Sequence, residues 1–210
     1  MLSYQYIVIE GNIGAGKTSL AHLLARHFNA DLLLEEFAEN TFLPQFYKDP
    51  ERFAFPLEMS FMAERYSQLK KVFDKRSPGK PVISDYLFDK SLLFAKVNLK
   101  ENEFKLFENF FTLIKNAVAK PDLLVYLKKE VSHLKKNIEK RGRDFERDIK
   151  NDYLENINSI YEWYLSSEPG IKKLIINTST LDFVSNKKDF EIIAGKIIDS
   201  QAAADFSKHP

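Results

Sequence analysis

The chain contains no cysteine, and this absence excludes disulfides, thiolate catalysis and cysteine-based zinc sites. No apolar run approaches the roughly 20 residues that a membrane-spanning helix needs, and no secretory leader precedes the first predicted strand. The 31 basic and 30 acidic residues give a formal net charge of +1, so no overall field attracts nucleic acid or a membrane surface. We therefore expect a cytoplasmic protein that binds neither nucleic acid polymers nor membranes and whose anion sites are local.

Glycine is also scarce, but three of the seven glycines fall within residues 11–16. There the chain reads G-x-x-x-x-G-K-T, preceded by an apolar strand at residues 6–10 and followed by a helical pattern over residues 19–28. This order is typical of a phosphate-binding loop, whose backbone N–H groups face the phosphates while the lysine reaches the β- and γ-phosphates and the threonine binds Mg²⁺. The predicted triphosphate contacts are Gly11, Asn12, Ile13, Gly14, Ala15, Gly16, Lys17, Thr18 and Ser19.

Short apolar segments alternate with helical patterns along the rest of the chain, which predicts an α/β fold whose parallel sheet is covered by helices on both faces. Strands are predicted at residues 6–10, 31–34, 81–85, 122–127 and 173–177. Further helices are predicted at residues 53–76, 88–97, 101–119, 131–140, 149–165 and 189–198. We expect one domain over residues 1–200 and a flexible tail over residues 201–210, which lack periodicity.

The phosphate-binding loop alone does not distinguish GTPases, motor ATPases and small-molecule kinases. The base-reading Asn-Lys-x-Asp motif of GTPases does not stand out, and the strand at 122–127 does not end in the Asp-Glu pair of motor ATPases. A small-molecule kinase needs an acceptor pocket, a carboxylate beside the attacking hydroxyl and a mobile basic segment over the transferring phosphoryl group. The chain offers a candidate for each.

The carboxylate candidates are Glu35 and Glu36, which directly follow the second strand, where open α/β sheets place their ligands. One of them is able to accept the proton of the acceptor hydroxyl. The basic candidate is the segment 140–147, in which Arg141 and Arg143 flank a glycine and would neutralise charge on the transferred phosphoryl group.

The pocket candidate is an aromatic-rich helix over residues 53–66, which also carries Glu58 and Glu64. Aromatic residues at helical spacing are more often core than ligand platform, and basic runs are more often solvated surfaces. Only their combination with a phosphate-binding loop favours a kinase.

Five motifs in order, GNIGAGKTS, LLLEEFAEN, FYKDPERFAFPLEMSFMAER, SDYLFDKSLLFA and KRGRDFERDI, resemble those of the deoxyribonucleoside kinase family, and most of all its bacterial deoxyadenosine/deoxyguanosine kinases. The resemblance covers nearly the whole chain. It implies a P-loop kinase fold with a five-stranded parallel sheet flanked by helices, and transfer of the γ-phosphoryl group of ATP to the 5′-hydroxyl of a deoxynucleoside. It also implies a homodimer, with a heterodimer of related subunits as the alternative known in bacteria.

The resemblance carries substrate roles to four residues of this chain. Glu36 matches the catalytic base that deprotonates the 5′-hydroxyl. Tyr47 and Glu146 match the pair that contacts the sugar 3′-hydroxyl. Glu58 stands where the animal enzymes read the nucleobase with a glutamine, and as an ionised carboxylate it would accept a hydrogen bond from the amino group of adenine.

The third-strand motif departs from that of the animal enzymes. Asp85 keeps the carboxylate, which together with Thr18 is expected to hold Mg²⁺ and to orient the 5′-oxygen. Tyr86 stands where the animal enzymes have an arginine, so charge neutralisation falls to Lys17 and the lid arginines. Asp89 matches an aspartate that reads the base.

Two further segments complete the inferred site. The lid lies near residues 137–148 and carries Arg141 and Arg143. The loop after the fifth strand matches the segment that clasps the adenine of ATP, at Asp182 and Phe183.

These roles predict an ATP-dependent kinase of purine deoxynucleosides, with deoxyadenosine first because Glu58 and Asp89 both offer acceptors. A deoxyguanosine-preferring or broad-specificity kinase is the alternative. A nucleoside monophosphate kinase of the thymidylate type shares the fold but needs an arginine where this chain has Tyr86. A nucleotide-binding partner subunit without turnover is a third possibility.

Overall fold

The computed structural model describes residues 2–36, 40–76, 79–168 and 170–205. These residues form the elements β1 (Tyr6–Gly11), α1 (Lys17–Phe28), β2 (Asp31–Leu33), α2 (Leu43–Lys48), α3 (Pro50–Lys75), β3 (Val82–Ser84), α4 (Lys90–Asn98), α5 (Glu101–Lys115), β4 (Leu123–Lys128), α6 (Val131–Arg141), α7 (Asn151–Ser167), β5 (Lys173–Asn177) and α8 (Lys187–Asp205). A 3₁₀ turn, Asp144–Glu146, follows α6. Within the described ranges, no helix is long and apolar enough to cross a membrane.

All five strands run parallel in one sheet, in the order β2-β3-β1-β4-β5. The central strand β1 pairs with β3 on one side and with β4 on the other. The chain places β2 and β3 on one side of β1 and then β4 and β5 on the other. The carboxyl end of β1 is therefore a topological switch point, where ligands bind in open α/β sheets. The predicted fold, a five-stranded parallel sheet flanked by helices, is confirmed.

The side chains of β1 alternate between two hydrophobic clusters, one on each face of the sheet. Ile7 and Ile9 pack in the cluster that includes buried residues of α1, α6 and α8. Tyr6 and Val8 pack in the cluster that includes buried residues of α3, α4, α5 and α7. This burial on both faces explains why the strands read as continuous apolar runs.

Among the differences from the sequence prediction, two concern α2 and the end of the chain. Helix α2 was not predicted, because its six residues are too few to show a helical period. The flexible tail was predicted from residue 201, whereas α8 continues to Asp205, and residues 206–210 lie outside the described residues. The side chain of Gln201 accepts a hydrogen bond from the Ser3 hydroxyl at 2.6 Å, which ties α8 to the start of the chain.

Candidate active site

The phosphate-binding loop follows β1 and enters α1 through Gly16, which has a φ of 95° that residues with a Cβ rarely adopt. A Cβ on Gly16 would lie 2.9 Å from the ring of Phe183, so the loop and the segment after β5 pack too closely for a side chain. The Lys17 ammonium donates to the carbonyl oxygens of Gly11 and Asn12 at 2.9 and 3.0 Å. This geometry places the lysine at the amino end of α1, where anions are favoured.

Buried polar side chains fix the loop against its neighbours. The Glu10 carboxylate accepts hydrogen bonds from the Leu87 N–H at 2.8 Å and the Tyr161 hydroxyl at 2.7 Å. The Asn12 amide donates to Oδ1 of Asn158 at 2.7 Å. Both residues are fully or almost fully buried, so α7 and the β3–α4 connection position the loop through hydrogen bonds that water does not replace.

Two cavities open beside Lys17. The inner cavity is enclosed by α2, α3, α4 and the α6–α7 connection, and the loop cavity lies between α6, the phosphate-binding loop and the segment after β5. Four residues line both cavities: Lys17, Thr18, Arg141 and Arg143. Three of the four carry positive charge, so the junction of the cavities favours a strongly anionic group.

The predicted triphosphate contacts divide between the cavities. Those that line the loop cavity are Gly14, Gly16, Lys17, Thr18, Ser19, Asp182 and Phe183. Ile13 lines the inner cavity instead. Gly11, Asn12 and Ala15 are buried and line neither cavity. These last three residues therefore belong to the loop but contribute no surface to either cavity.

Glu35 lies in the inner cavity between two cations. Its Oε1 accepts from the Arg65 guanidinium at 2.6 and 2.9 Å, and its Oε2 accepts from the Lys90 ammonium at 2.6 Å. Burial raises the pKa of the Glu35 carboxyl, but Lys90 and Arg65 outweigh burial and hold that pKa well below its usual range. Glu35 is therefore an ionised, oriented carboxylate with one cation on each oxygen.

Glu36, the predicted catalytic base, is exposed and does not line the inner cavity. The Glu35 N–H donates to Asp85 Oδ1 at 2.8 Å, which fixes the backbone at this point and turns the Glu35 side chain inward. Consecutive side chains of a chain leaving a strand point in different directions, so only one of the two glutamates faces the cavity. The structure therefore places Glu35, the other candidate that follows β2, in the inner cavity and Glu36 outside it.

Glu58 lines the deep part of the inner cavity and is 1% exposed. Its Oε1 accepts from the Asn98 amide at 2.7 Å, and its buried Oε2 has no hydrogen-bond partner among the described residues. Burial raises the pKa of the Glu58 carboxyl to about 7. A buried acceptor without a partner is costly unless a ligand pairs with it, so this oxygen points to a polar ligand in the cavity.

Asp85 and Thr18 meet at the carboxyl end of β3. The Thr18 hydroxyl donates to Asp85 Oδ2, and both residues line the inner cavity. A hydroxyl and a carboxylate are hard oxygen ligands of the kind that bind Mg²⁺ together with phosphate oxygens. The described residues contain no cluster of three or more acidic, histidine or cysteine ligands, so these two fit a metal that arrives with a nucleotide.

Two of the three arginines in the predicted lid pair with one carboxylate. Arg141 pairs with Glu146 Oε2, and Arg143 pairs with Glu146 Oε1 at 3.1 Å. Tyr47 and Glu146 line the inner cavity together, and the Tyr47 ring stacks on Phe145 with centroids 6.1 Å apart. Burial and the neighbouring Glu146 charge raise the pKa of the Tyr47 hydroxyl, so Tyr47 is a neutral hydrogen-bonding group beside a carboxylate.

Asp89, predicted to read the base, lies outside the inner cavity. Its carboxylate accepts from the Tyr164 hydroxyl at 2.7 Å and pairs with the Lys115 ammonium at 3.2 Å. Its neighbour Lys90 faces the cavity instead. Tyr86 is fully buried in the core and also lies outside the cavity.

Among the charged and amide side chains of the inner cavity, the sequence prediction missed three: Arg65, Lys90 and Asn98. Arg65 follows Glu58 by seven residues, which is two helical turns, so spacing alone would have placed both on one face of α3. Lys90 directly follows Asp89, which we did predict. Asn98 carries no sequence signal, because only the packing of α4 on α3 brings it to Glu58.

The sequence model of the deoxynucleoside kinase family matches residues 7–201 of this chain. The chain is 36% identical over 197 residues to a deoxyguanosine kinase of Bacillus subtilis, covering 91% of this chain and 95% of the relative. It is 32% identical over 197 residues to a deoxyadenosine kinase of Lactobacillus acidophilus, covering 87% of this chain and 89% of the relative.

A solved structure is similar over the same extent. The deoxyadenosine kinase of M. mycoides, with the products dCMP and dCDP bound, gives a TM-score of 0.79 at 25% identity and covers 92% of this chain and 99% of its own. The family match decides between the enzyme classes that the sequence left open, because a deoxynucleoside kinase is a phosphotransferase with an alcohol group as acceptor. The family match and these similarities show, in agreement with the phosphate-binding loop and the paired cavities, that the chain belongs to the deoxynucleoside kinase family.

Proposed function

We propose that this kinase transfers the γ-phosphoryl group of ATP to the 5′-hydroxyl of purine deoxynucleosides, with deoxyguanosine as the preferred substrate. The deoxynucleoside would occupy the inner cavity and ATP the loop cavity. The observation that carries this proposal is that Lys17, Arg141 and Arg143 line both cavities. A phosphoryl group that passes between the cavities therefore crosses a cationic junction, which is where charge develops in phosphoryl transfer.

In the proposed reaction Glu35 accepts the proton of the 5′-hydroxyl as the 5′-oxygen forms its bond to the γ-phosphorus. The bond from that phosphorus to the β–γ bridging oxygen breaks, and ADP leaves with the electron pair. Thr18 and Asp85 would hold Mg²⁺, which supplies positive charge to the phosphate oxygens. Arg141 and Arg143 stabilise the transferring group and, with the lid closed over it, exclude water that would compete as acceptor.

The proposed choice of nucleobase depends on Glu58. The sequence-based expectation of deoxyadenosine depended on two carboxylates, Glu58 and Asp89, as hydrogen-bond acceptors for the nucleobase. Asp89 instead pairs with Tyr164 and Lys115 outside the cavity, which leaves Glu58. The edge of guanine presents the N1–H and the 2-amino group side by side as donors, and both can pair with an ionised Glu58. The similar deoxyguanosine kinase of Bacillus subtilis supports the same order.

Deoxyadenosine is the second candidate. A carboxyl group with a pKa of about 7 is present in both forms at neutral pH, and the protonated form donates as well as accepts, which suits the amino group and N1 of adenine. The deoxyadenosine kinase of Lactobacillus acidophilus supports this alternative. Tyr47 and Glu146 would hold the 3′-hydroxyl in either case.

We also infer a cytoplasmic homodimer. Helix α5 exposes Leu106, Phe110 and Leu113 at 48%, 44% and 78%, and their spacing of four and three residues puts them on one face. An apolar face of this kind is suited to a second copy of the chain.

Initial rates with Mg·ATP and each of deoxyguanosine, deoxyadenosine, deoxycytidine, thymidine and guanosine test the substrate assignment. We expect the highest kcat/KM for deoxyguanosine, a lower value for deoxyadenosine and little turnover of guanosine. Faster phosphorylation of thymidine or deoxycytidine than of either purine deoxynucleoside would contradict the assignment of Glu58.

A further inference from the structure

Lys90 is a cation of the inner cavity that takes no step in the reaction proposed so far. It is the first residue of α4, its side chain is 8% exposed, and its ammonium lies 2.6 Å from Glu35 Oε2 and 5.4 Å from the centre of the Phe94 ring. Five cations line this cavity, and Lys17, Arg141 and Arg143 also face the loop cavity. Lys90 and Arg65 are the two that face the inner cavity alone.

Of these two, Arg65 is already committed to the protein. Its Nε and Nη2 atoms donate to Glu35 Oε1, its Nη1 donates to the Ser91 hydroxyl at 2.7 Å, and its guanidinium lies 4.9 Å from the Phe61 ring centre. A guanidinium held in a fixed fork by three hydrogen bonds has little freedom to follow a reacting atom.

Lys90 differs in this respect. An ammonium has three N–H donors on a flexible stem, and within the described part of the chain its hydrogen bonds use one of them, on Glu35. The Lys90 charge also lies close enough to Lys17 to contribute, after burial, to lowering the pKa of the Lys17 ammonium. Lys90 therefore stands at the phosphate end of the inner cavity, next to the carboxylate that would accept the proton.

We propose that Lys90 is a catalytic residue that donates a hydrogen bond to the acceptor 5′-oxygen while that oxygen attacks the γ-phosphorus. The proposal rests on the placement of the deoxynucleoside in the inner cavity. As the proton passes to Glu35 and the oxygen–phosphorus bond forms, negative charge develops on the 5′-oxygen and the equatorial phosphoryl oxygens. A buried cation aimed at that position stabilises the charge in the transition state more than in the ground state, because water is excluded there.

The same position explains why no cation is needed at Tyr86, in the β3–α4 connection. Tyr86 is fully buried and outside the cavity, whereas Lys90 reaches the site from the first turn of α4 and meets Glu35 across it. Lys90 orients the carboxylate with one N–H and keeps the others for the substrate oxygen.

The test compares Lys90→Met with Lys90→Arg and with Lys70→Met, which removes an exposed lysine of α3 that pairs with Asp74 at 3.7 Å. We expect Lys90→Met to lower kcat on the order of 100-fold, with the Kd of Mg·ATP and the melting temperature close to those of the parent. Lys90→Arg should recover a large part of kcat, because it restores a cationic donor, and Lys70→Met should match the parent. Lys90→Gln covers the case in which the methionine variant does not fold, and it should show the same loss.

Two results would overturn the proposal. One is a parental kcat in a folded Lys90→Met or Lys90→Gln variant. The other is a loss of kcat that Lys90→Arg does not relieve or that is matched by an equal loss of Mg·ATP affinity. The ratio of variant to parental kcat is measured on the deoxynucleoside that the parent phosphorylates best, whichever nucleobase it carries. A wrong assignment of the nucleobase would appear in the substrate profile of the parent. It would not affect the interpretation of this ratio.

Discussion

Glu35 and Glu58 line the same inner cavity, yet the pKa values of their carboxyl groups are displaced in opposite directions. Burial raises both, but Glu35 has Lys90 and Arg65 each at 2.6 Å, whereas the hydrogen bond of Glu58 comes from the neutral Asn98 amide at 2.7 Å. The first carboxylate therefore stays ionised and the second titrates near neutral pH. Groups with such divergent pKa values in one site are able to take different roles, and we propose proton acceptance for Glu35 and nucleobase recognition for Glu58.

Exchange of Glu35 for glutamine removes the proposed proton acceptor and nearly preserves its shape. We expect Glu35→Gln to lower kcat by about 100- to 10,000-fold, the usual contribution of a general base. Mg·ATP affinity should change little, because Glu35 lines the inner cavity and not the loop cavity. Steady-state rates and ATP titration measure the two effects.

Glu36→Gln is the matched control, since it makes the same change at an exposed neighbour outside the cavity. It should leave kcat near the parental value. A large loss of kcat in Glu36→Gln with normal rates in Glu35→Gln would restore the assignment made from the family resemblance.

The titration of Glu58 should appear in substrate affinity. The ionised form accepts from the two donors of guanine, so the KM for deoxyguanosine should fall as the pH rises through about 7, the pKa of this carboxyl group. Glu58→Gln should weaken this pH dependence, because an amide does not titrate in this range. A KM profile that is the same in parent and variant between pH 6 and 8 would show that Glu58 does not contact the base.

Glu58 should also make folding stability pH-dependent. Its pKa rises from an ordinary value of 4.5 to about 7 on folding, so the folded state binds the proton more tightly than the unfolded state. The resulting stabilisation is present below pH 4.5 and is lost as the pH rises to about 7. Glu58→Gln should therefore raise the melting temperature relative to the parent more at pH 8 than at pH 5, whereas Glu51→Gln, at an exposed position of the same helix, should not.

The predicted residues Lys17, Thr18 and Arg141, which lie in contiguous motifs, line the two cavities. The strands were placed to within about one residue because each is a short apolar run between turn signals, and Lys17, Thr18 and Arg141 follow from motif spacing. At two places the structure puts a neighbour of the predicted residue in the cavity. Glu36 was chosen over Glu35, and Asp89 was named where Lys90 faces the cavity.

These two differences in placement have one physical cause. Where the chain leaves a strand or begins a helix, the direction of a side chain depends on tertiary contacts such as the hydrogen bond from the Glu35 N–H to Asp85. A shift of one residue moves a side chain to another face. Composition and spacing contain no information about that contact. By contrast, the seven-residue separation of Glu58 and Arg65 does predict that both lie on one face of α3.

The lid arginines should matter for transfer and less for binding of the deoxynucleoside. Arg141 lines both cavities and pairs with Glu146. Arg141→Ala should lower kcat about 100- to 1,000-fold, as does removal of one preorganised donor at a site of developing charge. Arg147→Ala is the control, because Arg147 lies in the same segment but is 72% exposed and pairs with exposed Asp144. Equal losses in the two variants would indicate a general effect on lid folding.

The exposed face of α5 should hold the proposed homodimer together. Leu113→Glu places a charge on a side chain that is 78% exposed in the single chain, and it should shift the protein to monomers in sedimentation velocity at micromolar concentration. Ile192→Glu is the control, since Ile192 is 48% exposed on α8, which packs on the opposite face of the sheet. A dimer that survives Leu113→Glu and dissociates with Ile192→Glu would place the interface on α8.

Gly16 provides the sharpest test of the phosphate-binding loop, because two constraints act on it. Its φ of 95° disfavours a Cβ, and that Cβ would lie 2.9 Å from the Phe183 ring. Gly142 has a φ of 71° with nothing within 4 Å of its Cβ position, so Gly142→Ala carries only the backbone cost of about 1 to 2 kcal/mol. Both variants should lower the melting temperature, but only Gly16→Ala should also abolish Mg·ATP binding, because either the loop or Phe183 has to move. If isothermal titration showed parental ATP affinity in Gly16→Ala, the loop would not hold the triphosphate in the way that we propose.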